Sequence, residues 1–461
     1  MKMEKKDPAT LLELAIQGLL SNESAAIHAL EEIPRELFIP LFNAAFKGEH
    51  KKILEAMVKI WPFFCLHIGT LKIKASHFEL LKAMVDSLQF IHAQNSASRT
   101  PKLRILDLRQ GIDCRTTCPE ISRKSPICLH SCDYSEQSIL KIESQFSHVH
   151  SNSEIQSTKQ AMELIVDLSL KVRLKERGFL LSVSSKVHQS LGSLHVCCRD
   201  LKIDASSDYR SIVEILDLLC LQNLAIEKAS LSEVTNLLCQ IENLDRLSLS
   251  KITIRSLNIK IFRCFLRQLR RLDNLEELNL SSFCLTNNLE NLLRVLQPTL
   301  EYLSLCFCEF SHSDFTFLSQ YSEFKYLKLL NLSHNSMFLG DCENIRILLE
   351  NISGTLKHLA INHCFLTDST ISVLLPALSH CYHLRMFSFA SNPITMSMLL
   401  RIVQHLTPLM ELKYVIYPIP LHCYNGWYFN GNLDPEKLTD VRAQVKRTVK
   451  ESQREDMNWL T

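Results

Sequence analysis

Leu300-Glu301-Tyr302-Leu303-Ser304-Leu305-Cys306-Phe307-Cys308 is answered 27 residues later by Leu327-Lys328-Leu329-Leu330-Asn331-Leu332-Ser333-His334-Asn335. Both stretches read L-x-x-L-x-L with Cys or Asn at the ninth position. Working outward, the spacing recurs at Leu221-Leu224-Ile226, Leu244-Leu247-Leu249, Leu275-Leu278-Leu280, Leu356-Leu359-Ile361, Leu384-Phe387-Phe389 and Leu409-Leu412-Tyr414. Successive first leucines lie 23 to 31 residues apart, close to the period of roughly 20 to 29 of leucine-rich repeats. Cys308, Asn335, Cys364 and Asn392 hold the ninth position, where a small polar side chain ties turn backbone that no ladder satisfies. Phe283, Ile252, Ala229 and Arg199 depart from it. Weaker copies precede the array at Leu191-Leu194-Val196, Ile165-Leu168-Leu170, Leu103-Leu106-Leu108 and Ile68-Leu71-Ile73.

The expected fold is α/β: a leucine-rich-repeat solenoid, or horseshoe, with a parallel β-sheet on its concave face and helices outside. Between the strands run helical patterns such as Leu289, Leu292, Leu293 and Leu296. The same residues form an L-x-x-L-L motif, which we read as repeat core rather than as a docking helix. Residues 1–65 are expected to be a helical N-terminal cap, 66–417 the array, and 418–461 a C-terminal cap. That last segment opens a polar helix at Asp434-Pro435 and spaces Val441, Val445 and Val449 four apart. Residues 110–160, with Pro119, Pro126 and many serines, read as an irregular loop insertion.

Composition narrows the function. The 461 residues carry 51 Lys+Arg against 49 Asp+Glu, a net charge of +2, too weak a field for non-specific nucleic-acid binding. Ten glycines are few for phosphate-cradling loops, and no P-loop, dinucleotide, zinc-protease or nucleophile-elbow motif occurs. We expect a non-catalytic protein without metal or cofactor. No secretory leader or apolar run of membrane-spanning length is present, so the 17 cysteines are expected reduced, in cytoplasm or nucleus. Cys114, Cys118, Cys128 and Cys132 are spaced C-x3-C-x9-C-x3-C, looser than zinc pairs usually are, and read as loop thiols.

Two short motifs stand near the N-terminus. Thr10, Leu11, Ala15 and Leu19 match the elongin-binding box [S/T/P]-L-x3-[C/S/A]-x3-[L/I/V]. Such a box is one helix face, with Leu11 entering a partner's pocket and small Ala15 allowing close approach. The i, i+4, i+8 spacing equally describes an ordinary core stripe. Ile33, Pro34, Leu37 and Leu41 then fit a cullin box of the von Hippel-Lindau type, with Pro34 in a first helical turn and Leu37 and Leu41 on one face.

Ala29-Leu30-Glu31-Glu32-Ile33-Pro34-Arg35-Glu36-Leu37-Phe38, Ile53 to Phe63 and Leu103 to Arg109 resemble the PRAME family, and within it the oogenesin-type germ-cell members. The resemblance implies a repeat horseshoe and, for several members, the role of substrate receptor in a cullin–elongin ubiquitin ligase. Elongins B and C and a cullin are then the expected partners of the two boxes. The protein substrate would meet the variable strand positions Arg246, Glu277, Asn279, Tyr302, Leu329, Lys357, His358, Arg385 and Met386. Acids concentrate in the middle repeats and bases in the later ones, which suits a protein partner rather than nucleic acid or membrane. Two alternatives stay open: a nuclear co-regulator of transcription without ligase activity, and a stoichiometric inhibitor.

Overall fold

The computed structural model describes residues 10–63, 65–68, 71, 73–88, 103–109, 162–170, 174–190, 192–204, 210–252, 259–425 and 432–461. The expected loop insertion at 110–160, with its four cysteines, lies outside them. The chain forms two compact units, Met1–Leu201 with Ser207–Leu221, and Lys202–Ser206 with Gln222–Thr461.

The first unit opens with helices α1 (Leu11–Leu20), α2 (Glu23–Ala29), α3 (Phe38–Lys47) and α4 (Lys51–Lys59). Thr10 caps α1 through a reciprocal box: its hydroxyl accepts from the Glu13 N–H at 3.2 Å, and Glu13 Oε2 accepts from the Thr10 N–H at 2.8 Å. The core of this end is aromatic. Phe38 and Phe42 meet Trp61 edge to face, with centroids 6.0 and 5.4 Å apart, and Trp61 Nε1 donates to the Cys65 carbonyl at 2.9 Å.

Strands β1 (Cys65–His67), β2 (Ile105–Asp107) and β3 (Met162–Leu170) then pair in parallel, and β4 (Leu194–Asp204) follows. Helices α5 (Phe78–Asp86), α6 (Leu174–Gln189) and α7 (Arg210–Val213) complete the described part of the unit. Asp107, at the end of β2, accepts from Arg109 at 2.7 and 2.9 Å and lies 3.1 Å from His67 Nδ1. Burial pushes its carboxyl pKa up, but the Arg109 and His67 hydrogen bonds and charges outweigh burial and bring it to about 2.

Two upstream repeats are registered differently from the expectation. The first strand is Cys65–His67, ahead of Ile68-Leu71-Ile73, because His67 ladders with Asp107. In β3, Leu164 rather than Leu168 stands opposite Leu106.

The second unit is a leucine-rich-repeat solenoid. Strands β5 (Asn223–Glu227), β6 (Arg246–Ser250), β7 (Glu277–Ser281), β8 (Tyr302–Ser304), β9 (Leu329–Asn331), β10 (His358–Ala360), β11 (Met386–Ser388) and β12 (Tyr414–Ile416) pair in parallel, each with the next. Between them run α8 (Leu231–Leu238), α9 (Ile259–Leu269), α10 (Leu289–Leu293), α11 (His312–Gln320), α12 (Leu339–Ile352), α13 (Asp368–Ser379) and α14 (Met396–Leu406). The repeat leucines are buried throughout, and Leu289, Leu292 and Leu293 are core, as expected of a repeat helix.

The last repeat is shifted by three residues. Phe387 pairs with Val415, so the apolar set is Leu412-Val415-Tyr417, and Tyr414 points to the other face, 51% exposed.

The ninth position behaves as its chemistry requires. Asn335 Oδ1 accepts from the Cys308 N–H at 2.9 Å, while its Nδ2 donates to Leu305 O and Leu332 O at 2.8 and 2.9 Å. Asn392 does the same for Cys364, Ile361 and Phe389, and the Cys308 and Cys364 thiols donate to Leu280 O and Leu332 O. One residue earlier, Lys228, Lys251, Ser282, Phe307, His334, His363 and Ser391 all have positive φ, the left-handed turn that ends each strand. Where glycine would be free of strain, this glycine-poor chain carries side chains at about 1 to 2 kcal/mol apiece.

The array closes on a described C-terminal cap. After the hairpin of β13 (Tyr424–Asn425) and β14 (Asn432–Leu433), α15 (Pro435–Glu451) starts at an Asp434 cap with proline in its first turn, and Val441, Val445 and Val449 are buried. Strand β15 (Asn458–Leu460) pairs with β12, and buried Arg454 donates to the carbonyls of Leu409 and Leu412 at 2.8 and 2.9 Å.

Two substitutions test this account by urea denaturation. Asn335→Ala strands a buried N–H and two buried carbonyls and is expected to cost about 2 to 4 kcal/mol. Ser391→Gly, at φ 56° on an exposed turn, is expected to stabilise by up to about 1 kcal/mol.

Candidate functional site

In the first unit, α1 turns Ile16 and Leu20 into the core and leaves Leu11, Leu12, Leu14 and Ala15 exposed, with Leu19 half-buried. Leu11 is 85% exposed. The Leu11-Ala15-Leu19 stripe is therefore not the face on which the helix packs; the core stripe lies beside it. Three exposed leucines on ten residues, on a helix held by its own capping box, form an apolar surface of the kind that docks in a partner's groove.

The second motif divides. Pro34 precedes a 3-10 turn, Arg35–Leu37, and α3 begins only at Phe38, so Leu37 and Leu41 do not share one helix face. Ile33, Pro34 and Leu37 are half-buried or exposed, whereas Leu41 is 1% exposed and belongs to the core. Leu41 is corrected from contact residue to packing residue.

In the second unit the ladder register brings most of the nominated strand residues into one row. Arg246, Glu277, Tyr302, Leu329, His358 and Met386 stand opposite one another on successive strands, and Tyr414 extends the row. Asn279 lies one row further along with Ser248 and Ser304. The row just before the strands is linked by backbone bonds from Asp245 through Glu276, Glu301, Lys328, Lys357 and Arg385 to Lys413. Three acids thus give way to four bases, and Lys328 Nζ meets Glu301 at 2.6 Å where the sign changes.

The outward face therefore has Arg246 paired with Glu277 at 3.6 Å at one end and an apolar run of Tyr302, Leu329, Met386 and Tyr414 around His358. Burial, with Arg385 and Lys357 beside it, holds the His358 imidazole below its ordinary pKa, so it is neutral at pH 7, and its Nδ1 has no hydrogen-bond partner.

At the turns after β8 to β10, Phe307 stacks on His334 with centroids 3.9 Å apart, and His334 meets His363 at 4.9 Å and His363 meets Phe365 at 5.3 Å in tilted contacts. All four residues have positive φ, and Phe307, His363 and Phe365 are exposed. Sequence reasoning missed this ladder; its signal is an aromatic residue or histidine recurring just before the ninth position at Phe307, His334 and His363, with Phe365 just after it.

Among the described residues no helix is long and apolar enough to cross a membrane, and the group able to share a metal ion is His195, Asp217 and Cys220.

Comparison with known proteins fits both units. The model of the PRAME N-terminal domain matches residues 8–114, and that of the PRAME C-terminal domain matches residues 162–459. The chain belongs to the PRAME family. It is similar to human PRAME family member 12 (32% identity over 463 residues, 97% of this chain and 92% of the relative). Human PRAME family member 14 is 31% identical over 460 residues (97% and 94%), and member 8 is 30% identical over 471 residues (97% and 93%). The two family models together take in the boxes, the outward row and the aromatic turns of this PRAME-family chain.

Burial separates the two leucines of the second motif experimentally. Leu37→Ala is expected to shift stability by no more than about 0.5 kcal/mol, and Leu41→Ala to cost about 2 to 5 kcal/mol, as read from denaturant midpoints.

Proposed function

We propose that this PRAME-family chain is the substrate-recognition adaptor of a cullin–elongin E3 ubiquitin ligase of the von Hippel-Lindau type. Elongin B/C docks on Leu11, Ala15 and Leu19 of α1, primed by Thr10 as its cap. The cullin is met by Ile33, Pro34 and Leu37, while Leu41 holds α3 in place beneath them. The observation that carries the reading is the exposed apolar stripe of α1: a helix that already buries Ile16 and Leu20 has no internal use for Leu11.

The substrate is a protein held on the outward row. Tyr302, Leu329, Met386 and Tyr414 give buried anchor area, and the acid-to-base gradient from Asp245 to Lys413 orients a partner carrying the reverse gradient. Such a surface selects without catalysing, and ubiquitin transfer is left to the enzymes the scaffold recruits.

The test is co-expression with elongins B and C, wild type beside Leu11→Asp, followed by size-exclusion chromatography. Wild type is expected to co-elute with both elongins. Leu11→Asp is expected to elute alone at unchanged melting temperature, since an acid in the first helical turn is favourable. Folded wild type eluting without the elongins sinks the adaptor reading.

A further inference from the structure

Strand β4 carries His195 and Cys197 two residues apart, and the strand's period of two sets both side chains on one face. Facing them is the 3-10 turn Leu218–Cys220, which Asp217 caps: its Oδ1 accepts from the Leu219 N–H at 2.9 Å. Backbone fixes the two segments together. The Asp217 N–H donates to Val196 O at 3.0 Å, and Cys197 and Asp217 form a parallel bridge.

The side chains converge accordingly. His195 Nε2 is 2.6 Å from Asp217 Oδ2, and Cys220 Sγ is 3.6 Å from the same oxygen. The three ligand atoms all lie within 4.8 Å of one another. On the inner side lies the buried Cys197, bridged through its backbone to Asp217.

Tetrahedral zinc, with bonds of about 2.0 to 2.1 Å to N and O and about 2.3 Å to S, spaces its ligand atoms about 3.3 to 3.8 Å apart. The Cys220–Asp217 separation of 3.6 Å falls in that range, and the His195–Asp217 pair at 2.6 Å is shorter. An ion replacing the shared proton widens the His195–Asp217 pair by less than about 1 Å. His195 is 46% exposed, so the imidazole has room to make that shift. Imidazole and thiolate ligands select zinc over calcium or magnesium, which take oxygen.

We propose that His195, Asp217 and Cys220 bind a zinc ion and that Cys197, on the same face of β4 as His195 and bridged to Asp217, swings in as the fourth ligand. Binding releases the protons of the two thiols to solvent, His195 ligates through Nε2 as the neutral imidazole with its proton on Nδ1, and no redox change is involved. The ion staples the turn at 217–220 to β4. It is independent of the elongin-binding surface and of the outward row.

The experiment uses the full chain stripped by chelator dialysis and titrated with Co²⁺ and then Zn²⁺. The expected result is one tight equivalent with thiolate-to-cobalt charge-transfer absorption, displaced by zinc. Zinc should also shield Cys197 and Cys220 from iodoacetamide in peptide mass mapping. Cys220→Ser should weaken binding at least tenfold and dim the charge-transfer band. His195→Ala, at a half-exposed position, should weaken it equally while leaving the far-ultraviolet circular dichroism unchanged, which covers the case of a Cys220 variant that fails to fold. The Cys114→Ser/Cys118→Ser double variant should keep the metal. No metal uptake by wild type, unaltered alkylation of Cys197 and Cys220, or loss of metal only in the Cys114/Cys118 variant each overturns the proposal.

Discussion

The second unit depends on how its short strands, three residues each from β8 to β12, are ended. The chain must turn sharply after Leu305 or Leu332 to reach its helix, which takes buried backbone groups out of any ladder. Asn335 and Asn392 answer that demand from inside: Asn335 accepts one N–H and Asn392 two, and each donates to carbonyls of its own repeat and of the one before. A leucine in the same space would fill volume and leave those groups stranded, at about 1 to 3 kcal/mol each. Because each side chain binds two repeats, the turn, the register and the stacking are set together. The thiols of Cys308 and Cys364 alternate with the amides and give the weaker version of the same bond.

That coupling reinforces the leucine spacing, which alone suffices to place β5 to β7, where the ninth position is Ala229, Ile252 or Phe283. Where Asn or Cys holds the ninth position, from Leu300 to Phe389, the strand lies where the leucine spacing sets it. Leu409-Leu412-Tyr414 has no such residue, and Leu409, Leu412, Val415 and Tyr417, spaced three, three and two apart, allow two frames. Pairing of Val415 with Phe387 and Trp459 chooses between them, a choice made by neighbours and not by local pattern. Likewise Cys65–His67 is a strand because His67 faces Asp107, forty residues away. The leucine frame puts Tyr414 in the core, and the paired frame turns it outward.

The sites divide along similar lines. The outward row follows from strand alternation alone, so Arg246 to Met386 could be named from spacing, and register then aligns them. Leu41 could not be placed, since a proline-headed pattern does not say whether a 3-10 turn separates Leu37 from the helix; here one does, and the rotation it introduces sends Leu41 inward. His195, Asp217 and Cys220 are invisible as a set, because a bridge between a strand and a turn 22 residues apart creates their proximity.

The first helix shows how far a sequence can go in preparing a surface rather than a core. Ten residues of isolated helix are marginal in water, and α1 buries only Ile16 and Leu20. The reciprocal box of Thr10 and Glu13 supplies about 1 kcal/mol at the end where packing supplies nothing. The gain would be pointless if Leu11, Leu12 and Leu14 were free to be polar, since charged residues there would hold the helix as well and keep it soluble. Apolar side chains on a locally stabilised, outward-facing turn trade solubility for a preformed shape. That trade favours binding, because the ordering entropy a partner would otherwise have to supply is already spent in the free protein.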